Sequence, residues 1–336
     1  MKKILIVTDA WYPQVASGVL TILNNLIPRL KEKGFEVVII HPGLFPTFPL
    51  PFYREVRIPF FTKRKVESII MQEKPDYIHI MTESVLGFWA RYACRKNNLK
   101  FTTSYCTDLP LYIEIRIGFF ADTSYRYLRW FHDGGEKTII HTKSLKSKLE
   151  QRGFKKNLTI WPAGVDTDLF KPNNGNFSLP YQRPIFVYLG RIAIEKNLEE
   201  FLRCSLPGTK LIIGDGPLRH ALERKYKDSA IFVGYKKGQE LVDILASCDV
   251  AVFPSETDTF GLTIIEAMAC GLPVAAHDVI GPGDVISHGV DGFLDKNLEF
   301  AALQCLKLSR EAGRKKALTY SWDVSTQEFI DNLIHS

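Results

Sequence analysis

At 336 residues with 46% hydrophobic content, the chain can bury two cores, and no run is apolar enough to span a membrane. The net charge of +6 is uneven: residues 1–170 carry 25 Lys+Arg against 16 Asp+Glu, and residues 171–336 carry 18 against 21. The basic half suits an anionic partner, yet no recognition helix, zinc finger or RNP-type signature points to nucleic acid, and six scattered cysteines without a CxxC spacing exclude a disulfide framework.

In chain order, the start MKKILIVTDA is too short in apolar residues for a signal peptide, so the chain reads as cytoplasmic. Each half opens with a strand, a glycine-bearing loop and a helix. The first is KILIVTDAWYPQVASG followed by VLTILNNLIPRLKEKG; the second is PIFVYLGRIAIEKN followed by LEEFLRCSL. Further strands are predicted at FEVVIIHP, DYIHIMTE and FTTSYCTD, then at TKLIIGDG, AIFVGY, DVAVFPS and LPVAAHD. Short apolar strands alternating with helices argue for parallel, doubly wound sheets. Between the halves, KPNNGNFSLPYQRP (171–184) has the Pro, Asn and Gly content of a linker. The last segment, YSWDVSTQEFIDNLIHS, reads as an amphipathic helix. A G-x-G-x-x-G fingerprint and a Walker A motif are both missing, which argues against a dinucleotide dehydrogenase and a P-loop hydrolase.

The most informative stretch is FPSETDTFGLTIIEAMACGLP (253–273). A strand ends in a polar turn and an exposed Phe-Gly-Leu, and an amphipathic helix follows, stopped by Gly271 and Pro273. Asp258 stands beside the start of that helix and Glu266 within its first turns. Helix-end amides receive phosphate, and acids accept hydrogen bonds from sugar hydroxyls. Taken alone, such an acid pair also fits a cap plus a solvated helix face.

Its surroundings carry more. GRIAIEKN (190–197), LIIGDGP (211–217), FVGYKKGQEL (232–241) and ETDTFGLTIIEAMACGLPV (256–274) resemble retaining glycosyltransferases of family 4. TDAWYPQVASGV, HIMTESVLG, TSYCTDLPLYI and GVDTDLF resemble the acceptor domain of bacterial α-mannosyl- and sulfoquinovosyl- or glycolipid-type members. The resemblance spans nearly the whole chain, with its motifs in order. It implies an α/β architecture of the GT-B type, two doubly wound Rossmann-like domains facing a central cleft. The acceptor domain would be 1–170, the linker 171–184 and the nucleotide-sugar domain 185–320. Residues 321–336 would form a helix packing back on the first domain.

The resemblance also implies roles. Arg191 and Lys196 match the family's diphosphate-binding pair, and Glu266 the acid that holds the ribose hydroxyls. Asp258 stands where the family usually has Glu, to address the donor sugar; one methylene fewer withdraws the carboxylate by about 1.5 Å. Phe260, Gly261 and Leu262 would turn backbone amides toward the diphosphate and sugar. Gly18 would let the backbone approach the same phosphates, or is an ordinary turn glycine. Gly190, Gly214, Asp215 and Gly234 complete the donor-binding set. Cys106 replaces a family histidine near the reacting carbon. A thiol is a weak donor, and with no activating base adjacent in sequence it reads as a passive replacement ahead of a nucleophile. Glu83 and Asp108 are acceptor-side candidates, with a local cap as the other reading of Glu83.

The expected function is transfer of a hexose, mannose or glucose, from a GDP- or UDP-sugar to a lipid or glycan acceptor. No cofactor is implied, and no divalent metal is required, since two cations serve the phosphates and no His/Asp cluster suggests a metal. The competing reading is a nucleotide-sugar-binding protein of weakened catalysis, because Cys106 and Asp258 both depart on the sugar side. A GT-B epimerase or phosphorylase fits the acceptor-domain motifs less well. Two stretches, 43–65 and 113–132, mix aromatic and basic residues, among them Phe119, Phe120, Tyr125, Tyr127, Trp130 and Phe131 near Arg116, Arg126 and Arg129. They suit either an anionic membrane surface on the inner face of the membrane or ordinary core packing.

Overall fold

A computed structural model describes residues 1–11, 17–50, 53–118, 120–155, 157–173 and 177–336. Phe119 therefore lies outside the described residues, as do positions 12–16 of the first loop. The chain forms two compact units, residues 1–162 with 323–336, and residues 163–322.

The first unit holds strands β1 (Lys2–Val7), β2 (Phe35–Ile40), β3 (Thr47–Leu50), β4 (Tyr53–Pro59), β5 (Tyr77–Ile80), β6 (Thr102–Ser104), β7 (Lys137–Ile140) and β8 (Asn157–Ile160). Six of them form one sheet in the order β2-β1-β5-β6-β7-β8, parallel throughout. Leu5, Val7, Ile78 and Ile80 are fully buried and pack against Leu86, Ala90 and Phe131 from the covering helices. Strands covered on both faces read as continuous apolar runs, which is why ILIV and YIHI were legible. β3 and β4 form a separate antiparallel pair, with Phe48 opposite Ile58. The helix Trp322–Asn332 reaches this unit's core: Trp161 Nε1 donates to the Ser325 carbonyl at 2.7 Å, and Phe329 packs on the Trp161 and His79 rings.

The second unit holds β9 (Ile185–Leu189), β10 (Thr209–Ile213), β11 (Ile231–Gly234), β12 (Val250–Phe253), β13 (Val274–Ala276) and β14 (Gly292–Leu294). Their order, β11-β10-β9-β12-β13-β14, is parallel throughout. The strand order reverses between β9 and β12, so the loops leaving these two strands diverge and leave a crevice at their carboxyl ends. The chain enters this unit at Ala163, ahead of the Pro- and Asn-rich segment 171–184. That segment is tied to the unit by Asn173 Nδ2 donating to Ser247 Oγ at 2.8 Å and by the Arg183–Asp249 ion pair.

Candidate functional site

The loop after β9 carries Gly190, Arg191 and the single 3-10 turn Ile194–Lys196. The loop after β12 carries Ser255 to Gly261 and leads into the helix Leu262–Ala269. Two hydroxyls join them: Ser255 Oγ and Thr257 Oγ1 donate to the Glu195 carbonyl at 3.3 and 3.1 Å. This brings Lys196 to Asp258, whose Oδ1 accepts from Nζ at 2.6 Å, with both side chains 19% exposed. Asp258 Oδ2 is buried without a hydrogen-bond partner among the described residues. Arg191 lies 3.7 Å from the buried Glu195 carboxylate. Lys196 and Asp258 thus meet at the reversal point of the sheet, and Arg191 stands in the same loop as Lys196.

Glycines set the spacing of the loops. Gly214, at φ +145°, donates to the Gly234 carbonyl at 2.9 Å, and a Cβ on it would fall 1.8 Å from the Gly190 carbonyl oxygen. Gly281, which the sequence reading did not single out, has φ +93°, and a Cβ there would lie 2.3 Å from the Asp258 carbonyl oxygen. Only glycine lets this backbone lie against the Asp258 turn. Asp215 is engaged locally, accepting from the Gly216 amide at 2.7 Å and from Arg219 at 3.0 Å.

Gly261 caps the helix Leu262–Ala269 with φ +92°. The Phe-Gly-Leu at its start is not exposed as expected: Phe260 is 5% exposed and meets Tyr320 edge-on at 5.7 Å. An aromatic ring beside a tight glycine turn packs inward here. Within the helix, desolvation pushes the Glu266 carboxyl up to about 8. A half-buried acid with this bias gains from hydrogen-bond donors brought by a ligand.

In the first unit, the residues singled out lie after β1, β5 and β6. Gly18 is the exposed first residue of the helix Gly18–Glu32, capped by Ser17 Oγ, which accepts from the Leu20 amide at 3.2 Å. Cys106 is half-buried, and desolvation raises its thiol far above the ordinary range, with Glu83 adding to the effect. It therefore stays a neutral thiol. Asp108 is buried and saturated: Tyr105 and Tyr125 hydroxyls donate to Oδ1 at 3.0 and 3.3 Å, and Lys148 Nζ to Oδ2 at 2.6 Å. Glu83 reaches the buried His132, with Oε1 3.2 Å from Nε2, while His132 Nδ1 meets Thr103 Oγ1 at 2.8 Å. Asp9, also not singled out from sequence, accepts from the Leu86 amide at 3.1 Å and from Thr82 Oγ1 at 3.0 Å, and burial pushes it up to about 6. Its position two residues past the end of β1 was the available signal.

One expectation needs correction. Glu200, Glu256 and His277 do come together, their ligating atoms within 4.8 Å of one another, so a His/acid cluster exists. It is assembled from three separate segments, and spacing along the chain could not reveal it.

The family description "Glycosyltransferase Family 4" matches residues 16–169, and "Glycosyl transferases group 1" matches residues 172–304. A sulfoquinovosyl transferase of Arabidopsis thaliana is 29% identical over 92% of this chain and 69% of its own length. A GDP-mannose-dependent alpha-mannosyltransferase of Mycobacterium tuberculosis is 27% identical over 98% of this chain and 95% of its own. Among solved structures, a sucrose-phosphate synthase from Thermosynechococcus elongatus superposes with a TM-score of 0.82 at 19% identity, covering 98% of each chain. Anabaena HepE in complex with UDP-glucose superposes at 0.74 and 16% identity, over 98% of this chain and 99% of that one. Both superpositions establish the fold.

Proposed function

Since the chain is a nucleotide-sugar-dependent glycosyltransferase of the GT-B fold, related to family 4 and group 1 enzymes, we propose that it transfers mannose or glucose from a GDP- or UDP-sugar to a glycan or glycolipid acceptor with retention at the anomeric carbon. The observation that carries this reading is the Lys196–Asp258 contact at the reversal point of the second sheet. Lys196 and Arg191 take the diphosphate, joined by amides at the start of the helix Leu262–Ala269, whose first N–H groups have no partner within the helix. Asp258 turns its Oδ2 to a hydroxyl of the donor sugar. Glu266 accepts from the ribose hydroxyls, which supply the donors a partly desolvated carboxylate needs.

As the bond between the anomeric carbon and the diphosphate oxygen breaks, negative charge grows on the leaving diphosphate. Cations already fixed beside it stabilise that charge without reorganising. The acceptor oxygen attacks the same face of the anomeric carbon, and its proton passes to the departing diphosphate oxygen. The products are glycosylated acceptor and nucleoside diphosphate. No protein nucleophile takes part, in keeping with Cys106 remaining a thiol. Donor identity rests on the relatives: those named GDP-mannose-dependent mannosyltransferases, and the structural neighbour bound to UDP-glucose.

The acceptor reading draws on exposed aromatics of the first unit. Phe61 is 86% exposed, Phe60 and Phe48 are exposed beside it, and Lys63 lies over the Trp89 and Tyr92 rings. Such a surface suits the interface of an anionic membrane holding a lipid-linked acceptor. No helix among the described residues is long and apolar enough to cross a membrane. Co-sedimentation with anionic vesicles at low salt tests this; loss of binding in Phe61→Ser is expected, and no binding by the unaltered chain contradicts it.

A second reading, weakened catalysis, is favoured by Cys106 at the family histidine position. A panel of UDP- and GDP-sugars, scored for binding and for nucleotide release with and without acceptor lipids, separates the two. Turnover with one donor supports the enzyme reading. Binding without release, unrelieved in Cys106→His, supports the weakened one.

A further inference from the structure

The cluster corrected above has a feature that an ordinary salt bridge lacks. His277 is 5% exposed and holds its Nδ1 3.2 Å from the Asp295 carbonyl oxygen. Its Nε2 stands 3.1 Å from the Glu200 carboxylate and 3.8 Å from that of Glu256. Both ring nitrogens therefore face groups that only accept. A neutral imidazole carries one N–H. Given to the carbonyl, that hydrogen leaves the Nε2 lone pair directed at two carboxylates, an arrangement that calls for a cation, either a second proton or a metal ion.

The geometry accommodates the metal. Bonds of about 2.0–2.1 Å to nitrogen and oxygen in a tetrahedral site put donor atoms about 3.3 Å apart, close to the 3.1 and 3.8 Å found here. A carbonyl on the second ring nitrogen is the usual partner that fixes the tautomer of a metal-bound histidine. Glu200 has its own orienting donor, Asn197 Nδ2 at 2.6 Å. A solvent-open cavity of about 340 Å³, bordered by Asn197, Glu199, Glu200 and Arg203, gives access to Glu200.

We infer that Glu200, Glu256 and His277 form a site for one divalent transition-metal ion of the zinc class. Imidazole with carboxylates suits zinc and its neighbours, whereas magnesium prefers oxygen ligands and retains its waters. The ligands come from the helix Leu198–Arg203, the loop after β12, and the residue after β13. Glu200 stands four residues after Lys196, and Glu256 two before Asp258. An ion here pins together the two segments that carry the Lys196–Asp258 pair, without touching that pair.

The test needs no sugar donor, so its failure is distinct from failure of the transferase reading. The full chain, free of any histidine tag and stripped with EDTA, is titrated calorimetrically with zinc chloride alone and with magnesium chloride alone. One zinc ion per chain is expected, with a raised melting temperature and no saturable magnesium binding. Glu256→Gln alters an exposed side chain and keeps the fold. It should weaken zinc binding by about tenfold or more and melt like the unaltered chain in EDTA. His277→Gln should weaken binding as well. Zinc binding unchanged in Glu256→Gln, as capture by cysteines would give, overturns the site. So does a melting temperature indifferent to zinc, the result for an imidazolium held by a proton. Magnesium binding equal to zinc overturns the ion class.

Discussion

Lys196 and Asp258 hold each other at 2.6 Å, which keeps both side chains in place for the phosphate and the sugar. Lys196→Ala is expected to lower turnover by a factor on the order of 10² to 10³, the usual cost of one fixed charge-stabilising group. Circular dichroism should show an unchanged fold, and turnover within threefold of the unaltered enzyme would count against the assignment. Glu266 gives a pH signature. Its folded value of about 8 lies above the ordinary carboxyl value of 4.5, so the folded state binds the extra proton. The associated stability is complete below about pH 4.5 and is lost as pH rises toward 8. Glu266→Gln should therefore melt close to the unaltered chain at pH 4.5 and above it at pH 8, while binding donor more weakly. A melting difference independent of pH contradicts this. Cys106 should resist alkylation at pH 7.5 in the folded chain, because burial keeps its thiol protonated.

Elements are where sequence and structure agree most closely, for reasons visible in particular segments. LIIGDG and VAVFPS read as strands because both faces of each sheet are covered and apolar residues run unbroken. The pair β3–β4 was not legible, because Pro46, Pro49 and Pro59 argue against a strand. A detached two-stranded pair has unpaired outer edges, where a missing N–H costs little. The buried Phe260 was misread because its turn looked polar. The candidates Arg191, Lys196, Asp258 and Glu266 lie in short contiguous motifs, which is why the sequence could nominate them. His277 lies 77 residues from Glu200, and His132 meets Glu83 only through the packing of a helix on the sheet, so neither pair has a local pattern. The approach of loops after β9 and β10 gives a sharper test. Gly214→Ala would press a methyl into the Gly190 carbonyl, and a loss of about 1–3 kcal/mol of stability is expected, read by urea denaturation. An unchanged midpoint would show that the loops separate easily.

At the scale of the whole molecule, the chain leaves its first unit at Pro162 and returns at Asp323. Ser325 and Phe329 then pack with Trp161 and with His79 of β5. Removing residues 323–336 should uncover Trp161, at a cost of about 1.5–3 kcal/mol for each large side chain lost from burial, and lower the first melting transition; an unaltered thermogram would contradict that role. The central claim is that the second unit binds and activates a nucleotide sugar through Arg191, Lys196, Asp258 and Glu266. The most direct measurement is release of nucleoside diphosphate from a panel of UDP- and GDP-sugars, with and without glycolipid acceptors, by the unaltered chain and Lys196→Ala in parallel. Acceptor-dependent release from one donor class is expected of the unaltered chain, largely abolished in Lys196→Ala. Release that is equal in both proteins would contradict it.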